Sequence, residues 1–268
     1  MTGRHERHAH TLGRVVGIPA QPGMMTGMAD LVARLGDVRA SSSALLAGLD
    51  AERWSDADMR APSVLPDWTR GHVLTHLARN ADGITATLAG ALRGDIVPRY
   101  PNGPAGRAAD IEAGSGRSAV ELMADVRDAV DRLDRLFGSV NEARAWDVPT
   151  DLGRPARSWL NNRWREVEIH RADLRSRYGA RDWPATFVGY LLPRLAAEVG
   201  NRSDQPLRIE VVHEGSTTTN LGGTAWTSDA GDPVTVRGPD WALLAWLTGR
   251  PSLANDALGA MPELAPWS

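Results

Sequence analysis

Apolar residues recur at intervals of three and four over most of the first two thirds of the chain. Met28, Leu31, Leu35, Val38, Leu45, Leu46 and Leu49 make one such stripe, and the spacing predicts a helix over about Gly27 to Leu49. A turn-rich stretch ending in Pro66-Asp67 follows. A second helix then opens at Trp68 or Thr69 and runs to about Arg93, where Gly94-Asp95 stops it. Val120, Leu122, Met123, Val126, Val130, Leu133 and Leu136 stripe a third helix from Ser118 to about Phe137, and a fourth covers about 156–178. Between the second and third lies a Pro/Gly-rich segment, 95–117, read as a long loop with a short helix around 106–112. Loops of that length inside compact domains are uncommon and often functional. Four helices with one long crossover predict a bundle, and bundle cores are where facing helices assemble metal sites.

The pattern changes after Trp183-Pro184. A fifth helix over about 185–199 gives way to short alternating runs, Leu207–Val212, Thr224–Thr227 and Pro233–Arg237, separated by Gly-rich turns. Asp240–Thr248 returns to helix and ends at Gly249, a C-cap position. The expected fold class is α+β. A four-helix bundle over 24–180 precedes a smaller α+β domain over 181–268, with three antiparallel strands and flanking helices. Residues 1–23 lack sustained periodicity and end in Pro22-Gly23. They read as a disordered extension or a misassigned start, with Met24, Met25 and Met28 as alternative first residues.

Composition narrows the function classes. With 42% apolar and 24% charged residues and a net charge of −3, the chain is that of a globular protein with no electrostatic footprint for nucleic acid or an anionic membrane surface. No apolar run approaches the length of a spanning helix. The expectations are a cytoplasmic monomer that binds small molecules. Cysteine is absent, so a reaction that uses a thiol must take it from outside the chain. Lysine is absent as well, and ten Trp stand against two Phe, so indole N–H groups in the core will need acceptors.

Two segments carry chemistry. In Arg165-Glu166-Val167-Glu168-Ile169-His170 a carboxylate and an imidazole stand four residues apart, one turn apart on the same helix face. His72 and His76 have the same spacing on the second helix. Apolar neighbours Val73, Leu74, Leu77, Val167, Ile169 and Leu174 hold both segments against a core rather than on a solvated face. Glu and His from one helix, met by His from another, make a donor set that leaves a fourth position open, as in catalytic zinc sites. Glu168 points about 160° away from Glu166 on a helix, which disfavours it as the base of a metal hydrolase.

The segments LPDWTRGHVLTHLARNADG, REVEIHRADL and DWALLAWLTGR together resemble the mycothiol-dependent maleylpyruvate isomerases, DinB-like four-helix metalloproteins that use low-molecular-weight thiols. The resemblance extends from about Met28 to the end. It implies a zinc ion, or another divalent metal, on His76, Glu166 and His170, with His72 one turn away and outside the ligand set. It implies mycothiol as thiol cosubstrate and a dicarboxylate substrate clamped by Arg250, with Arg107 of the Pro/Gly segment as a second arginine. For Arg250 the alternative is stabilisation of a helix C-terminus; for Arg107 it is solvation of a loop. The implied reaction is conversion of maleylpyruvate to fumarylpyruvate by reversible thiol addition. Thiol transfer to another electrophile, or a non-catalytic metal- or ligand-binding role, remain as alternatives on the same scaffold.

Overall fold

The computed structural model describes residues 27–268 apart from 141, 152, 213–224, 228–231, 255–256 and 268. The expected N-terminal extension lies outside the described residues. The chain divides into two compact units, one of Met25–Phe187 and one containing Val188–Ser268.

The first unit carries α1 (Met28–Glu52), the short α2 (Asp56–Arg60), α3 (Arg70–Leu92), α4 (Gly103–Ser115), α5 (Ala119–Ser139) and α6 (Ser158–Asp173). The four long helices α1, α6, α3 and α5 pack in that order around a square, α5 closing back on α1. Their shared core includes Leu45, Leu74, Leu77, Ile84, Leu88, Leu122, Val126, Leu160, Trp164 and Val167, all nearly inaccessible to solvent. The helix starts are written in the sequence. Ser118 and Glu121 form a capping box at α5, and Thr69 forms one at α3 with His72 as the partner.

The segment read as a loop is largely helix. Pro104 in the first turn of α4 fits the fixed φ of that position, and Gly103 takes φ +64°, a conformation few other residues adopt. The missed signal is weak because the Ala- and Gly-rich stretch buries only Ile111, so no apolar stripe marks it. Its end lies directly on α3. A Cβ added at Gly71 would stand 2.2 Å from the Ser115 carbonyl oxygen, so this contact exists only because Gly71 has no side chain.

Arg70, the first residue of α3, ties down the end of α6. Its Nε donates to the Leu174 carbonyl at 2.6 Å and its Nη2 to that of Arg175 at 3.1 Å, while Nη1 donates to Asp58 O at 3.1 Å. Helix-end carbonyls without intrahelical partners are what such a guanidinium satisfies. Tryptophans find their acceptors too, Trp164 Nε1 on Ser41 Oγ at 3.0 Å and Trp183 Nε1 on Glu168 O at 3.0 Å.

In the second unit, α7 (Ala185–Ala197), which begins within the first, leads to β1 (Leu207–Val211), β2 (Ala225–Thr227), β3 (Val234–Gly238) and α8 (Asp240–Leu247). The strands form one sheet in the order β2–β1–β3. The expectation of three antiparallel strands is corrected here. β1 and β2 are antiparallel, but β1 and β3 are parallel, with Ile209 opposite Val236. Alternation tells which face of a strand is buried and not which edge its neighbour takes. Having reversed twice, the chain lays β3 on the free edge of β1, where Val236 joins buried Leu207 and Ile209.

Gly71→Ala replaces a close backbone contact by a clash. Ala would gain roughly 1 kcal/mol in helix propensity. The clash with a backbone oxygen outweighs that gain, so a net loss of about 1–3 kcal/mol is expected. Urea unfolding measures it; an Ala variant as stable as the parent would mean that α4 does not rest on α3 there.

Candidate metal centre

His76, Glu166 and His170 come together. One ligand atom from each lies within 4.8 Å of the other two. His76 Nε2 is 2.8 Å and His170 Nε2 3.4 Å from the same oxygen, Glu166 Oε2. The imidazole rings meet edge to face with centroids 4.5 Å apart. His76 is buried, 2% exposed, whereas Glu166 and His170 keep 19% and 15% of their side-chain surface, so the cluster is open on one side. His76 comes from the middle of α3 and the pair from α6, which lie side by side in the bundle.

Each imidazole is held from behind. His170 Nδ1 donates to Asp173 Oδ2 at 2.8 Å, and Asp173 is fully buried. A carboxylate there fixes the tautomer and leaves Nε2 facing the cluster. Arg107 Nη2 donates to His76 Nδ1 at 2.9 Å. A guanidinium has no acceptor, so His76 Nδ1 carries a lone pair and its Nε2–H donates to Glu166. Trp68 walls this corner, its ring 5.7 Å from that of His76 and stacked 6.1 Å from that of His72.

Charge follows the same contacts. Burial, the neighbouring His170 and Arg107 push His76 down to about 4, against the opposing pull of Glu166. Burial alone would lower His170 too, yet its hydrogen bonds to Asp173 and Glu166 raise it above the usual imidazole value. Burial works to raise Glu166, but the hydrogen bonds from His170 and His76 hold it well below the usual carboxylate range. The cluster therefore pairs an ionised carboxylate with an imidazole, His76, that stays neutral at neutral pH, while the contacts of His170 favour its protonated form.

Residues 35–175 match the family described as the mycothiol maleylpyruvate isomerase N-terminal domain. The chain belongs to this family. A crystal structure of a mycothiol-dependent maleylpyruvate isomerase is similar over 91% of this chain and all of that one, with 27% identity and a TM-score of 0.74. A structure of a histidine-to-alanine mutant of such an isomerase is similar over the same shares, with 26% identity and a TM-score of 0.73. No curated relative matches the sequence. Among the described residues no helix is long and apolar enough to cross a membrane.

The other expected residues fall as follows. Arg107 sits on α4 rather than on a loop, against His76 and with its guanidinium 5.6 Å from the Tyr100 ring centroid. His72 lies outside the cluster, for a local reason. Its Nδ1 accepts from the Thr69 N–H at 3.2 Å and its Nε2 donates to Glu112 Oε2 at 3.1 Å. Glu168 faces α1 and accepts from Ser41 Oγ and Tyr178 Oη, away from the cluster. Arg250 lies in the second unit, where its Nη1 donates to Thr248 O at 2.6 Å just past the end of α8. Sequence reading missed Asp173, although a carboxylate three residues after a metal-spaced His is a usable signal, and it missed the Trp68 wall.

Two imidazoles so differently placed should titrate apart. In metal-stripped protein, nitrogen NMR of the side chains should show His76 neutral down to about pH 4. His170 should protonate above the usual value near 6.5. Coincident titration near 6.5 would show that the rings are not held in this arrangement.

Proposed function

We propose that this protein is a metal- and thiol-dependent isomerase that converts maleylpyruvate to fumarylpyruvate with mycothiol. The observation that carries the proposal is the convergence of His76, Glu166 and His170 from two bundle helices in a member of this family. The donor set fits a divalent cation of the zinc type. It has two imidazoles and one ionised carboxylate, a buried orienting partner behind His170, and one side open. A cation held there supplies positive charge that favours the thiolate form of an incoming thiol. With no cysteine in the chain, that thiol is a cosubstrate.

The protein's own residues do the rest. His170 keeps its proton on Nδ1 through Asp173 and offers Nε2. His76 can offer a ring nitrogen only by giving up its bond with Arg107. If Nδ1 is the ligand its lone pair is taken; if Nε2 is, the proton moves to Nδ1 and that atom no longer accepts. Either way Arg107 would be freed from His76 as a cation beside the cluster, where it could meet a substrate carboxylate with two parallel N–H bonds. Trp68 walls the corner and limits water around the buried His76. Thiolate addition to the cis double bond leaves a single bond and puts negative charge on the conjugated carbonyl oxygen, which guanidinium groups stabilise. Rotation and loss of the thiolate then give the trans product and return the thiol. Arg250 is the second candidate clamp for the dicarboxylate.

The direct test mixes purified protein, mycothiol and maleylpyruvate and follows fumarylpyruvate. His170→Ala should lose bound metal, by elemental analysis, and activity, while its far-UV helical signal stays that of the parent. Asp173→Asn should weaken metal binding about 10- to 100-fold. A parent protein that binds zinc and mycothiol but leaves maleylpyruvate unchanged would point to thiol transfer onto another electrophile. Arg250→Lys should lower kcat/KM about ten- to a hundredfold, the loss of one charge-assisted bidentate contact, with metal content unchanged. Full activity in that variant would leave Arg250 as a helix-end residue only.

A further inference from the structure

Arg99, between α3 and α4, carries a guanidinium with no carboxylate in ion-pair reach among the described residues. Its Nη1 donates to the neutral Asn162 Oδ1 at 3.2 Å. Nε and Nη2 have no hydrogen-bond partner there and keep access to solvent. The side chain is nonetheless held. Its Cζ lies 4.7 Å from the Tyr100 ring centroid and 5.1 Å from that of the buried Trp159, contacts that engage the face of a guanidinium and leave its edges for hydrogen bonds. The Arg99 backbone N–H donates to Asp151 Oδ2 at 3.0 Å. A Cβ added at Gly83 would stand 2.6 Å from Arg99 Cγ and 2.8 Å from its carbonyl oxygen, so stem and backbone lie directly on α3. A fixed arginine with open N–H groups is a preorganised anchor for a carboxylate.

Its contacts lead back to the metal cluster by two routes. Asn162 stands four residues before Glu166 and eight before His170 on α6. All three are partly exposed, whereas Arg163, Trp164, Val167 and Ile169 are buried, so the three share one open stripe of the helix. The other route runs through Tyr100, whose ring also meets Arg107, with Cζ 5.6 Å from the centroid. Arg107 in turn donates to His76 Nδ1. One phenol ring therefore joins two guanidinium groups, Arg107 at the cluster and Arg99 farther along α3. Gly83, under Arg99, is seven residues beyond His76, about 10 Å of helix rise.

We propose that Arg99 is the far anchor of the substrate site, gripping the carboxylate at the end of the chain remote from the metal while Arg107 serves the end beside it. The identity of the substrate rests on the isomerase reading; the anchor itself requires only a dicarboxylate bound at the metal centre. Maleylpyruvate carries two carboxylates and two keto oxygens, more acceptor positions than Arg107 and Arg250 alone can serve. Separation of the two anchors also selects for length, because a short diacid held by Arg107 does not reach Arg99.

Calorimetric titration of the metal-loaded protein reads the anchor without turnover. The probes are pimelate, a saturated seven-carbon dicarboxylate, and heptanoate, which lacks the second carboxylate. The parent should bind pimelate about ten- to a hundredfold more tightly, the effect of one charge-assisted contact. Arg99→Met, folded by circular dichroism, should bind the two alike. Arg99→Lys keeps the charge but not the fork and should retain only part of the preference. In turnover, Arg99→Met should raise KM for maleylpyruvate, with bound metal and KM for mycothiol unchanged. Equal binding of the two probes by the parent would overturn the proposal whatever the variants do. A preference that survives Arg99→Met would assign the second carboxylate to another group, such as Arg250, and overturn it too. A parent that prefers pimelate through Arg99 yet leaves maleylpyruvate unchanged would keep the anchor and remove the isomerase reading.

Discussion

Two arginines tie α3 to α6 on either side of the His76, Glu166 and His170 cluster. Arg70, at the start of α3, holds the carbonyls at the end of α6. Arg163, near the start of α6, holds the Leu77 carbonyl and Asn80 on α3. His76 lies between these ties on one helix, and Glu166 with His170 between them on the other. Rigid elements clamped on both sides of a site place its side chains more sharply than loops can. Hydrogen bonds of this kind are short-range and directional, so the rings are set to each other by the backbone of the bundle as much as by their own contacts.

How much of this was legible depended on whether a feature leaves a periodic trace. The helices α1, α3 and α5 could be read because their apolar residues repeat along one face, and the cluster because Glu166 and His170 are spaced for one helix face. α4 left no such trace: it lies against α3 by backbone contact at Gly71 and buries a single Ile. The parallel pairing of β1 with β3 left none either, since edge choice is a matter of chain path. Arg107 could be carried over by resemblance, but its bond to His76 depends on where α4 is laid down. Asp173 needed no tertiary knowledge, being three residues from His170 on the same helix.

The absence of lysine gives these contacts a common character. Every side-chain cation here apart from histidine is a guanidinium, charged at any physiological pH and able to serve several acceptors at once. Arg70 reaches three carbonyls. Arg79 and Arg117 share Asp125, which joins α3, the turn before α5 and α5 itself. In a bundle whose glycines leave backbone close to backbone, a flat multidentate cation fits where an ammonium would need water.

The bond from Arg107 to His76 also bears on which ions can enter. Any cation that uses His76 must first displace a charged donor, so occupancy carries a threshold. Mg²⁺ and Ca²⁺ prefer oxygen and gain little from imidazole, whereas Zn²⁺ and its late first-row neighbours gain much. Such a threshold would weigh more against the alkaline-earth ions than against the nitrogen-seeking ones. In the proposed site, the arginine beside His76 would thus bear on which metal is held as well as on the substrate.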